Sequence, residues 1–237
     1  MDAKTLKMIS GGTFAFAALF AIVGLFATIS SYSSREINLI ALIIVSQIVE
    51  IILLACLADG CFVRQDKLIG CTLVIMTLFS AFCGVLSLAT GLSMREAMGV
   101  LPTSYIVSFY LQAIGDFLFT ISVILGAVSA LIQKRSKNLC LAFAIIALAA
   151  AAVWVIGSAL GLTILDVGTL VTLMEGVGFF ALGISYMKSI NEKQAHTQKA
   201  TIAALSSAQL SDYKQLLDQG IITQEEFYEQ KKRFLQG

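Results

Sequence analysis

The sequence predicts an all-α polytopic membrane protein: six transmembrane helices followed by a small cytoplasmic helical hairpin. Three observations carry this. Hydrophobic residues make up 58% of the 237-residue chain and charged residues only 13%, a balance foreign to ordinary soluble domains. The apolar residues collect in runs long enough to cross a hydrocarbon core of about 30 Å. The basic residues between those runs fall mostly on alternate sides.

The six runs are residues 8–29, 37–58, 68–90, 105–132, 139–161 and 167–187. The first lacks a small-x-small cleavage site and reads as a signal-anchor rather than a removable leader. The segment between the third and fourth, around 91–104, is the longest outer loop and holds the chain's only proline, Pro102. The fifth run is rich in small residues (Ala147, Ala149 to Ala152, and Gly157 paired with Gly161), which let helix backbones approach closely. It is therefore expected to be a central packing helix. The turn around Asp166 is short, so the fifth and sixth spans should pack antiparallel.

Lys4 and Lys7 precede the first span, Arg64 and Lys67 separate the second and third, Lys134, Arg135 and Lys137 separate the fourth and fifth, and Lys188 and Lys193 follow the sixth. That makes nine basic residues on one side, against Arg35 and Arg95 on the other. The positive-inside rule then puts both termini in the cytoplasm, as for a protein of the bacterial inner membrane. The formal net charge of +1 is too small to steer nucleic acid. The expected partners are the lipid bilayer, further copies of the chain, and a proton or small cation.

The spans also form three pairs, each preceded by a lysine (Lys7, Lys67, Lys137). Two outer loops share a dipeptide, Arg35-Glu36 and Arg95-Glu96. A triplicated helical hairpin would account for both, although positive-inside topology alone also puts lysines before odd spans.

The membrane region carries one chemically informative set. Each even span holds a single carboxylate: Glu50, Asp116 and Glu175. On insertion scales an ionised group mid-span costs about 2.5–3.5 kcal/mol. No lysine or arginine lies within the spans to neutralise the acids, so each must carry a proton, accept strong hydrogen bonds or hold an imported cation. Gln47, Gln112 and Thr172 lie three or four positions before the respective acids and share a helix face with them, within reach to donate. The three even spans run in the same direction, which permits the acids to converge; a stagger of a turn or two is equally compatible with the sequence.

Catalytic signatures are absent. There is no HExxH, no GxSxG, no Walker-type loop and no dinucleotide fingerprint, so neither an enzyme nor a cofactor is expected. Cys56, Cys61, Cys71, Cys83 and Cys140 lack metal-site spacing and read as free thiols. His196, the only histidine, sits among polar residues and reads as solvated.

Residues 1–188 thus form the membrane domain. Residues 189–207 are polar and contain no Gly or Pro, so they are expected to continue as a helical or semi-rigid linker. In 208–237, Leu216 and Leu217 lie on one face of a helix that Gly220 can end. Thr223 and Glu226 have the spacing of a capping box, and Ile222 and Phe227 that of a hydrophobic staple. Phe227, Phe234 and Leu235 continue the apolar face. This stretch resembles the SHOCT (short C-terminal domain) family in Leu216, in the Gly220-Ile221-Ile222-Thr223 turn, in Glu225-Glu226-Phe227, and in Lys231 and Leu235. The resemblance implies an oligomerisation hairpin, since that family is attached to many unrelated membrane proteins and is thought to mediate self-association.

Two functions follow from these readings. One is a homo-oligomeric channel or transporter, linked to protons or cations through the intramembrane acids. The alternative is a membrane-anchored assembly protein, driven by its tail, with no transport activity.

Overall fold

In the computed structural model of the chain, the described residues are 1–31, 37–93, 103–132, 135–160 and 167–236; side chains are described at all of these except 31, 37–40, 85–93, 105, 199–210 and 232–236. Arg35, Glu36, Arg95, Glu96, Pro102, Lys134, Gly161 and Asp166 lie outside the described residues, as do the side chains of Phe234 and Leu235.

The protein is all-α, with no strand among the described residues. Its helices are α1 (Ala3–Ser31), α2 (Ile37–Val63), α3 (Asp66–Ser93), α4 (Thr103–Leu131), α5 (Lys137–Leu160), α6 (Val167–Asp218) and α7 (Gln224–Gln236). Six of them are long and apolar enough to cross a membrane. The outward face of the set is apolar as well: Phe26, Leu78 and Phe117 are each about two-thirds exposed. A soluble domain could not carry such a surface, whereas a bilayer solvates it.

The chain divides into two compact units, Met1–Lys188 and Ser189–Gly237. In the first, α1 packs on α2, α2 on α3, α3 on α4 and α4 on α5. The α2–α3 and α4–α5 contacts run across the sequence pairs, so the three pairs do not stand apart as separate hairpins. Helix α6 completes the set against both α5 and α1. A Cβ placed on Gly176 would lie 2.4 Å from the Ala151 Cβ, and one on Gly183 would lie 2.9 Å from the Cys140 carbonyl. Only glycine permits that approach. The small face of α5 is buried there, through Ala144, Ala147, Ala150 and Ala151. Ser10 donates to the Gly178 carbonyl at 2.8 Å and Ser185 to the Ala3 carbonyl at 2.9 Å, tying α6 to α1. Interhelical bonds of this kind contribute about 0.6 kcal/mol each in a bilayer.

The helix ends differ from the sequence expectation. Helix α1 begins at Ala3 because Asp2 caps it, accepting from the Thr5 amide at 2.8 Å. Residues 59–67 read as a connecting loop, but only Arg64 and Gln65 separate α2 from α3. Arg64 adopts a left-handed φ of 61°, and the Gln65 amide reaches back to the Gly60 carbonyl at 3.0 Å. That reversal caps α2 without a loop.

In the second unit, α6 ends in a Schellman motif. Gly220 has φ 73°, its amide donates to the Leu217 carbonyl at 2.9 Å, and the Ile221 amide donates to the Leu216 carbonyl at 2.9 Å. Helix α7 then opens on a capping box. The Thr223 amide donates to Glu226 Oε2 at 2.8 Å and the Glu226 amide to Thr223 Oγ1 at 3.4 Å.

Candidate cation site in the membrane unit

The three acids line one cavity. Glu50 comes from the middle of α2, Asp116 from α4 and Glu175 from α6, around a space of about 260 Å³. A single water needs only about 10–15 Å³ by a comparable measure, so the space is far larger than a packing defect. Helical periodicity directs each wall. Ser46 and Glu50 are four apart and line it together, as Thr172 and Glu175 do three apart, with Ser80 of α3 adding a hydroxyl. Among the described residues no lysine or arginine lines it.

The acids differ in environment. Glu175 is only 5% exposed, and its Oε1 is buried with no hydrogen-bond partner among the described residues. Glu50 is half-buried and Asp116 is exposed. Trp154 lines the cavity together with Asp116, and its indole N–H is the one neutral ring donor on the described wall. Glu50 also borders a second cavity of about 220 Å³, shared with Trp154 and Thr172 and reaching Val167 and Gly168 at the start of α6. Glu50, Trp154 and Thr172 therefore form the partition between the two spaces.

The polar neighbours do not serve the acids. Gln47 Nε2 donates to Thr28 Oγ1 of α1 at 3.1 Å, Gln112 Nε2 to Ser158 Oγ of α5 at a long 3.5 Å, and Thr172 Oγ1 to the Gly168 carbonyl at 3.1 Å. Sharing a face brings the side chains to the same wall, but the long amides span to the adjacent helix and a helical threonine finds its own i−4 carbonyl closer. Gln47 Oε1 is left buried without a partner among the described residues.

Past the acids the interior is aromatic. Phe179, one turn past Glu175, meets Phe14, Phe119 and Phe143 edge-on at centroid distances of 4.8, 5.4 and 5.9 Å. Farther along, at the end of the bundle where the N-terminus lies, Asp66 binds two cations. Lys7 pairs with its Oδ1, and Arg135 Nη2 with its Oδ2 at 2.6 Å. The Arg135 guanidinium also lies 4.3 Å from the centroid of the buried Tyr186 ring and donates to the Ser129 carbonyl at 2.7 Å. Lys188 donates to the Met1 carbonyl at the same end.

Sequence reasoning missed Asp66, Trp154, Phe179 and Tyr186. Asp66 sits between Arg64 and Lys67 and reads as loop, while its partners are 59 and 69 positions away. Trp154 did leave a signal, because an indole donor inside an alanine-rich span needs an acceptor.

Among the described residues no three or more His, Cys, Asp or Glu side chains stand close enough together to hold a metal ion; the three acids line the walls of a space. In the tail, Leu216, Leu217, Ile222 and Phe227 are half-buried, while Ile221 and Tyr228 are exposed. Comparison of the chain with protein-family models, with curated proteins and with solved structures finds no match.

Proposed function

We propose that the chain is a homo-oligomeric membrane protein of the bacterial inner membrane, with both termini in the cytoplasm, that moves protons or small cations past Glu50, Asp116 and Glu175. One observation carries the reading: three carboxylates from three helices border one cavity, with no basic residue on its described walls and one buried oxygen that no described group satisfies. A carboxylate so placed is stable only when a proton or cation sits on it. A guest entering from the α6 N-terminal end would pass the second cavity, meet Glu50, and exchange with protons on the trio. Release at the opposite end requires the Phe179 cluster and the Lys7–Asp66–Arg135 cluster to part, which suits a transporter with alternating access better than an open pore.

The test is flux in vesicles reconstituted with wild type and with the Glu50→Gln, Asp116→Asn, Glu175→Gln triple variant. Loss of pH-gradient-driven or cation flux in the variant, with the protein still folded, is the expected result. Equal flux in the two preparations rejects the reading.

The second reading is an assembly protein without transport. The half-buried Leu216, Leu217 and Phe227 favour it, because a hairpin of this size leaves apolar surface that another copy could cover, and so does the SHOCT resemblance. Deleting residues 208–237 would then reduce the oligomer to monomer and abolish function. An unchanged oligomer after deletion removes this reading.

A further inference from the structure

We propose, on the basis of the cation reading above, that the species held at the three carboxylates is a small organic monocation. An amine or quaternary ammonium with an apolar body fits, and a metal ion does not.

The walls of the cavity argue for it. Beside the acids stand the rings of Phe79, Phe119 and Trp154 and the thioether of Met76. Aromatic faces attract a diffuse organic cation, and indole does so best. A hard metal ion needs the opposite, a close shell of oxygens at fixed distances around a point. The acids do not form such a group among the described residues. A bare ion would also leave most of a space of about 260 Å³ to water, much of it against the rings of Phe79, Phe119 and Trp154. An alkylammonium fills the space, puts its carbon against the rings, and leaves its charge to the acids.

Glu175 is the specific anchor. It is 5% exposed, lines the cavity, and offers a buried oxygen that no described protein group satisfies. Glu50, at the partition between the two cavities, is the first acid a guest arriving through the second would meet. Asp116 shares the cavity wall with Trp154, so the indole stands among the acids.

Trp154 is the chain's only tryptophan, so its fluorescence reports this site alone. Full-length protein in lipid nanodiscs is titrated with tetraethylammonium chloride, and separately with sodium and magnesium chloride at matched ionic strength. Heat and Trp154 emission are both recorded. Saturable tetraethylammonium binding, absent for sodium and magnesium, is expected. Glu175→Gln should weaken it about thirty-fold or more, since one partner of a desolvated charge contact is removed. Should that variant fail to fold, Glu50→Gln serves, with a smaller loss.

Saturable binding of sodium or magnesium without tetraethylammonium overturns the proposal, and so does tetraethylammonium binding that Glu175→Gln and Glu50→Gln both leave unchanged. The flux assay separates the two proposals. Proton flux lost in the triple variant, together with no tetraethylammonium binding, ends this inference and keeps the transport reading. Site-dependent tetraethylammonium binding with equal flux in wild type and triple variant does the reverse.

Discussion

Asp66 and Glu175 are carboxylates on two helices of the same bundle, about 16 Å apart in depth if Tyr186 marks the level of Asp66 along α6, and they are treated in opposite ways. Asp66 is bound by Lys7 and Arg135, two cations from other parts of the chain whose side chains are only 12% exposed. Glu175 is more deeply buried and has no cation beside it among the described residues. Helices approach closely at both levels, as Gly176 against Ala151 shows beside Glu175, but it is the acids that adjoin open space. Around Asp66, a Cβ on Gly70 would fall 2.6 Å from Leu131, and one on Gly60 would fall 2.9 Å from Ile69. At the acid cavity, a Cβ on Gly84 would meet nothing within 4 Å. One end of the bundle is locked by charge pairing; the other sets its carboxylates beside open space. A fold that has the means to neutralise a carboxylate, and withholds it from three, leaves those three for a guest.

The largest test of that contrast is a pair of charge removals. Asp66→Ala leaves Lys7 and Arg135 facing each other in a semi-buried site, and should lower unfolding free energy by about 2–4 kcal/mol, allowing for the partial exposure of Asp66. Glu175→Gln removes a group whose burial is unfavourable, and should leave stability unchanged or slightly raised while flux is lost. Reversible unfolding in mixed micelles measures both. Equal destabilisation by the two would mean that Glu175 has a structural partner after all.

A packing pair comes next. Gly183→Ala pushes a methyl to 2.8 Å from the Ala144 Cβ and should cost about 1–3 kcal/mol. Gly84→Ala has free space and gains helix propensity, so it should be neutral or stabilising by up to about 1 kcal/mol. Melting temperatures in one detergent compare the two directly, and a loss at Gly84 matching that at Gly183 would show that the cavity is filled by packing.

How much of this could be read from residues alone follows from what each feature depends on. The all-α polytopic class was legible because span length and apolar composition are properties of contiguous segments. Glu50, Asp116 and Glu175 were conspicuous because a carboxylate within an apolar run is costly wherever the run packs. Whether they meet was not legible, since the rotation of each helix about its axis is set by contacts such as Gly176 against Ala151, far apart in sequence. Asp66 escaped for the same reason, and the two-residue α2–α3 junction turned on a left-handed arginine that no composition rule anticipates. The donors assigned to the acids failed because spacing along a helix selects a wall and not a partner, as Gln47 shows by bonding Thr28.

Glu226 supplies the smallest test and the reference for the other two acids. It is the same residue type as Glu175, but fully exposed, and the Thr223 amide and hydroxyl hold its carboxyl below the usual glutamate range. A folded-state pKa below the unfolded one means that the ionised form supports the fold. The capping box is therefore at full strength above the ordinary glutamate pKa, and weakens as pH falls through the lowered folded value. Amide hydrogen exchange at Thr223 in the full-length protein, corrected for intrinsic rate, should show protection falling across that acid range. Glu226→Gln should show no such fall, because its amide is neutral at every pH. Flux through the membrane unit, if governed by Glu50 and Glu175, should not follow the Thr223 titration. Were both to move together at the same pH, the separation drawn between a solvated, locally bonded carboxylate and the unpaired ones in the bundle would be wrong.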